Sequence, residues 1–174
     1  MVDSVVHEVP RRRAARPSAV LEKDMAHRII RLTASEILDS RSRPTLEVTV
    51  ELADGTIAMA GVPSGASTGR REAAELRDQD PGRFGGAGVT VAAHAVNGEI
   101  ADRMCDGEWK SLAQADQALI ELDGTDDKRR LGANSIVGVS MVLARAMAQA
   151  AGEELHEWLQ PSDVQPRLPV PIST

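Results

Sequence analysis

The sequence predicts an α+β domain: a three-stranded antiparallel β-meander followed by a helical half, with no catalytic barrel. Three observations carry that prediction. Leu46, Val48, Val50 and Leu52 alternate with Glu47, Thr49 and Glu51, the period of a strand with one face in a core and one in water. After Pro63 that alternation stops, and apolar residues recur at the three- and four-residue spacing of helices. The chain has 174 residues, whereas a complete eightfold βα barrel takes about 250.

The elements follow in order. Residues 1–24 hold five basic and four acidic residues, including the run Arg11, Arg12, Arg13 and then Arg16, so the remainder carries −7 of the net −6. Residues 1–25 are expected to be a flexible, solvated extension. A secretory leader is not expected, because Arg16, Pro17 and Ser18 interrupt the apolar stretch it would need. Ile29, Ile30 and Leu32 begin a strand that ends at the polar run from Asp39 to Pro44, where Asp39 and Arg41 are expected to shape the turn. Asp54 and Gly55 predict a two-residue hairpin turn with positive φ angles, and residues 56–62 the returning strand. Ala73, Ala74 and Leu76 suggest a short helix; Val91, Ala95, Val96, Ile100 and Met104 a longer one. Ser111 and Gln114 form a capping box opening a helix to about Leu122, ended by Asp123 and Gly124. Asn134 or Ser135 is expected to cap a last helix reaching about Ala151, with Gly152 as its left-handed stop.

That last helix is apolar around its circumference, with Arg145 its only charge, so burial on all sides is expected, part against the sheet and part against helices or a partner. A membrane span is not: Asn134, Ser135, Ser140, Arg145 and Gln149 interrupt it, and a mid-span arginine costs roughly 2.5 to 3.5 kcal/mol. The lone Cys105 allows no disulfide and no CxxC pair, which suits a reducing, cytoplasmic setting. Three aromatic residues (Phe84, Trp109, Trp158) and an acidic balance argue against nucleic acid as partner.

One segment asks for chemistry: Pro63, Ser64, Gly65, Ala66, Ser67, Thr68, Gly69. Gly65, Ser67 and Gly69 match the serine-hydrolase elbow G-x-S-x-G, but no parallel strand pattern follows, and His94 and His156 lie on helical segments without an orienting acid. A nucleotide loop would need Gly-Lys-Ser/Thr, which is missing. Ser67 could give an oxygen to Mg²⁺, although a single serine is a weak ligand. Taken alone, the segment reads as a glycine-rich turn.

A set of motifs in order changes that weighting. Ile37-Leu-Asp-Ser-Arg41, Pro44-Thr45, Glu47-Val48, the stretch from Pro63 to Gly69, Glu72-Ala73, Glu75-Leu-Arg-Asp78, Leu122-Asp-Gly-Thr125, Leu131-Gly-Ala-Asn134 and Gly138-Val-Ser140 resemble the enolase amino-terminal domain. The resemblance covers residues 26–174, with 26–160 as the domain and 161–174 as the linker that would enter a barrel. It implies a family reaction, 2-phosphoglycerate to phosphoenolpyruvate and water, that uses Mg²⁺. It implies that Gly65, Ala66, Ser67, Thr68 and Gly69 form a lid over substrate, with Ser67 on the second Mg²⁺. It also places Glu47 where this domain meets the barrel of a second subunit. The base, acid and metal carboxylates of the family belong to the barrel, so no catalytic residue is expected in this chain. The implied partners are an enolase barrel or a full-length enolase subunit; a free-standing, non-catalytic module docked on full-length enolase is the alternative. Of Asp39, Glu47, Glu72, Glu75, Asp78, Asp123 and Asp126, most are expected to be turn, cap or surface groups. The family's pattern departs at Ser42-Arg43 (usually Gly-Asn), Gln79 (Gly), Ala87 (Lys) and Asp127-Lys128-Arg129 (Asn-Lys-Ser).

Overall fold

A computed structural model describes residues 26–65, 69 and 72–161. The expected extension, 1–25, lies outside them. The meander consists of β1 (His27–Leu38), β2 (Pro44–Leu52) and β3 (Ile57–Gly61), each antiparallel to the next. A fourth strand, the two-residue β4 (Glu108–Trp109), adds to the far side of β1, so the sheet order is β3-β2-β1-β4. Two residues carry no alternation, so only the pairing of His27 with Trp109 and Arg28 with Glu108 reveals this strand.

The alternation fixes which side of the sheet is dry. Leu46, Val48, Val50 and Leu52 are fully buried, whereas Thr49, Met59 and Ile57 line the opposite face, where Ile57 and Met59 are half exposed. The hairpin differs from the expected one. Leu52 N–H donates to Thr56 O and Gly55 N–H to Leu52 O, leaving a three-residue loop in which Gly55 alone has a positive φ, +87°. Asp54 instead accepts the Thr56 N–H at 2.8 Å, a local bond that competes with the two-residue turn.

Across the dry face lies α4 (Ala133–Ala150), against β2 and β3. Gly138 makes that approach possible: a Cβ there would stand 2.8 Å from Cγ2 of both Val48 and Val62. Before it come α1 (Thr90–Ala95), a π-helical turn (Val96–Ile100), α2 (Ala101–Cys105) and α3 (Leu112–Asp123), with α5 (Leu155–Leu159) at the end. Val96, Ile100 and Met104 are fully buried, in agreement with their spacing. In the π turn, Asn97 pairs with the backbone of Ala34, its Oδ1 accepting the N–H at 2.7 Å and its Nδ2 donating to the carbonyl at 2.9 Å. The side-chain amide therefore blunts the part of the β1 edge that short β4 does not reach.

Both ends of α3 are as expected. Ser111 Oγ accepts the Gln114 N–H at 3.2 Å and Gly124 takes φ +70°, although the Gln114 side chain reaches back to Lys110 N–H rather than to Ser111. Gly152 is left-handed at φ +65°. The start of α4 is a correction: Gly132 occupies the cap position at φ +87°, and Asn134 and Ser135 lie inside the helix. Their side chains bond to other segments, Ser135 Oγ to Ala92 O and Asn134 to Leu76, so neither is free to cap. Within this chain α4 is not buried on all sides, and the face expected to meet helices or a partner is left open. Val137, Arg145 and Gln149, with half-buried Met141 between them, form an outward stripe at four-residue spacing that no other described element covers.

The short helix expected at residues 73–76 is not there. Ala74 N–H donates to Asp127 O, Ala133 N–H to Ala74 O and Leu76 N–H to Asn134 Oδ1. Its backbone groups are thus claimed by the loop before α4, and an extended path satisfies them where helical turns would not. Two of the departures from the family pattern, Ser42 (φ +57°) and Gln79 (φ +57°), hold left-handed backbone with a side chain attached; Lys128, which matches the pattern, does so too at φ +60°.

Candidate functional site

The glycine-rich segment leaves the end of β3, an edge strand of an antiparallel sheet, which is not the central parallel strand that a hydrolase elbow requires. Ala66, Ser67 and Thr68 lie outside the described residues, so the proposed metal ligand has no geometry here; Gly65 and Gly69 are described.

The anchoring of the segment is built residue by residue. Val62 N–H donates to Leu46 O at 2.8 Å, and Thr45 Oγ1 donates to Val62 O at 2.6 Å, so the exit from β3 is tied to β2. Ser64 Oγ then donates to Asp39 Oδ2 at 3.0 Å. Asp39 Oδ1 holds its own turn through the N–H groups of Arg41 and Arg43, both at 2.8 Å. These bonds, that from Arg43 foremost, keep the Asp39 carboxyl below its ordinary pKa. Gly65 N–H donates to Glu75 Oε1 at 3.2 Å, and Arg77 grips the other Glu75 oxygen through Nε and NH2 at 3.1 and 2.6 Å. Arg77 NH1 is itself held by the carbonyls of Pro44 and Ala87. On the far side Glu72 N–H donates to Gly69 O.

Between these anchors and the first turn of α4 opens a cleft of about 540 Å³ lined by Pro63, Gly65, Gly69, Glu75, Asn134 and Val137 among others. Of the carboxylates expected to be turn, cap or surface groups, Asp39 serves its turn and Glu75 the loop base. Asp123 is a turn group as well, but a buried one: it is 2% exposed and accepts Thr125 N–H at 2.9 Å and Leu131 N–H at 2.8 Å. Burial alone would raise its pKa, but these donors and the Thr125 hydroxyl hold it low. Asp78 is likewise enclosed rather than superficial: it accepts Val91 N–H at 2.9 Å and the Thr90 hydroxyl at 2.7 Å at the start of α1. Glu47 sits half-buried on the outer face of β2, opposite Ser35 and Gly61.

Sequence reasoning missed the pair Glu36–Arg83. Arg83 bridges Glu36 on β1 to Asp78, and Glu36 also takes the Val89 N–H at 2.7 Å. The guanidinium holds Glu36 below the ordinary carboxylate range against the opposing effect of burial. A signal was present: in β1, Leu32, Ala34 and Glu36 point to one face, and an acid at a core-facing position calls for a cation. Among the described residues, no three His, Cys, Asp or Glu side chains are grouped to hold a metal ion.

Residues 29–159 match the family described as the enolase amino-terminal domain. The chain belongs to the enolase family. An enolase of Mycobacteroides abscessus is 54% identical to it over 139 residues, which is 80% of this chain and 32% of that relative. The chain therefore spans about a third of the length of the curated enolase it matches, and the four-stranded sheet with its helices is the amino-terminal part of the enolase architecture, without the barrel. No helix among the described residues is long and apolar enough to cross a membrane.

Proposed function

We propose that this domain is the active-site cover of a phosphopyruvate hydratase, a glycolytic lyase that turns 2-phosphoglycerate into phosphoenolpyruvate and water. The observation that supports it most is the match over residues 29–159 to a family whose relative is covered to only 32% of its length. In this proposal residues 65–69 close over substrate, and Ser67 contributes one oxygen to Mg²⁺ while residues 161–174 lead into the barrel. Water exclusion and completion of the site are what such closure supplies. The bonds from Ser64 to Asp39 and from Gly65 to Glu75 suit a loop whose base must be firm while its tip moves.

The described side chains do not by themselves fit a Mg²⁺ site. The nearby Glu75 is engaged by Gly65 and Arg77, and one hydroxyl outside the described residues is far short of the oxygens that the ion takes. No step is therefore derived through the ion, and the proton-moving groups are assigned to the barrel. Glu47, on the open face beside exposed Met59 and Ile57, is assigned to contact with the barrel of a second subunit. A cytoplasmic setting accords with a glycolytic role and with the single Cys105.

The test joins this chain to the barrel of the M. abscessus enolase and follows phosphoenolpyruvate by its ultraviolet absorbance. Turnover is expected only in the joined protein, and Ser67→Ala should lower kcat by about tenfold or more, the scale of losing one charge-stabilising contact. Turnover by the 174-residue chain alone, or an unaffected Ser67→Ala protein, overturns the proposal. Stable binding of the unjoined chain to full-length enolase would favour the docking module instead.

A further inference from the structure

A second cavity lies away from the glycine-rich segment, at the opposite end of α4. It is a cleft of about 860 Å³ between the β2–β3 hairpin, the start of α3, the last turn of α4 and α5. Its floor is apolar, with Leu52, Leu112, Met147, Trp158 and Leu159. Into this lining α3 brings Asp116, whose Oδ1 is enclosed and accepts no hydrogen bond. A carboxylate oxygen shut off from water calls for a donor, and this one finds none among the described residues.

Three facts identify the occupant. Ala26 and His27 line the cleft, so residues 1–25 join the domain at its mouth. Residues 9–21 carry Arg11, Arg12, Arg13 and Arg16 and no acid, while residues 26–174 carry −7. The same stretch supplies Val9, Ala14, Ala15, Val20 and Leu21 for an apolar floor. Reach is ample: Arg16 is ten residues before Ala26, and ten extended residues span up to about 35 Å. Arg28 and Lys110 on the rim are offset by Asp54 and Asp116, which leaves the enclosed oxygen as the selecting feature.

We propose that the cleft is the docking groove for the chain's own residues 9–21, with one guanidinium of the arginine run donating to Asp116 Oδ1 and Val20 and Leu21 resting on the floor by Met147 and Trp158. A guanidinium suits this position because it is a weakly hydrated cation with several donors. Tethering at Ala26 presents the segment at an effective concentration in about the millimolar range, so a weak intrinsic contact suffices.

Amide hydrogen exchange on the full 174-residue chain tests it, comparing the parent with Asp116→Ala and with the fourfold Arg11, Arg12, Arg13 and Arg16→Gln variant. Residues 9–21 should exchange about tenfold more slowly in the parent than in a free peptide of that sequence, and each variant should remove that slowing. Asp116→Ala deletes an oxygen that holds no hydrogen bond; should the variant misfold, the arginine variant decides. Free-peptide exchange of residues 9–21 in the parent overturns the proposal. So does protection that persists in both variants, that grows with protein concentration as a second copy would make it, or that maps to residues 162–174 instead.

Discussion

Asn134→Ala tests the assignment of this asparagine as a clamp rather than a helix cap. In the structure Asn134 is 6% exposed, with Oδ1 3.0 Å from Leu76 N and Nδ2 3.1 Å from Leu76 O. Truncation orphans a backbone donor and a backbone acceptor at a half-buried residue. Each buried orphan costs about 1–3 kcal/mol, and partial access of water at Leu76 puts both near the low end, roughly 2 to 3 kcal/mol together. Alanine returns about 0.5 kcal/mol of helix propensity in α4, so the net loss is about 2 kcal/mol. For a chain of this size that lowers Tm by about 4 to 8 °C. Urea unfolding followed by far-ultraviolet dichroism and by the buried Trp109 reads the loss, and hydrogen exchange at Leu76 localises it. Asn134→Asp, which keeps the acceptor and loses the donor, should fall between. A loss under about 0.5 kcal/mol, or a Leu76 amide that exchanges no faster, would refute the clamp.

Gly138→Ala should destabilise by about 1–3 kcal/mol in urea unfolding, because its methyl would meet Val48 and Val62 at 2.8 Å in a core that cannot yield. Combined with Val48→Ala it should cost less than the two losses added, and strict additivity counts against a steric cause. Ser42→Gly and Gln79→Gly should each stabilise by up to about 1 kcal/mol, since both positions hold φ near +57° with a side chain; an unchanged or lower Tm for both contradicts that account. Glu36, Asp78 and Asp123 have lowered pKa values, so the folded state binds fewer protons than the unfolded state in acid. Their contribution is full above the unfolded carboxylate values of about 4 and is lost as pH falls through the lower folded ones. The urea midpoint should therefore drop steeply below about pH 4, and Asp123→Asn should flatten the drop while lowering stability at neutral pH.

Much of the fold is written in local chemistry. The alternation at residues 46–52 needs only the chain itself to say which side chains are dry, and they are. Ser111 before Gln114, Gly124 and Gly152 announce helix ends because each acts within a few residues of its own position. Asp39 is of the same kind, holding amides two and four residues on. Even the strain at Ser42 and Gln79 is foreseeable, as side chains at places where the family carries glycine.

The site was less legible. Gly65 and Gly69 mark a loop, but Asp39 and Glu75 as the anchors of its base appear only when the strand turn and residues 72–77 are brought beside it. Glu36, Arg83 and Asp78 meet from β1, a loop and the approach to α1, with 47 positions between the first two.

The sequence alone therefore settles the three-stranded meander, the bodies of the longer helices, the stops at Gly124 and Gly152, and the family to which they belong. Those features arise from bonds and periods a few residues long. The tertiary structure decides that residues 73–76 are extended, that Asn134 and Asn97 replace strand partners, and that β4 joins the sheet. In each case a backbone group is satisfied by a residue far along the chain, 58 positions for Leu76 with Asn134 and 63 for Ala34 with Asn97. No local pattern encodes such a partner, because which distant polar group arrives is set by how helix and sheet pack over the apolar side chains between them.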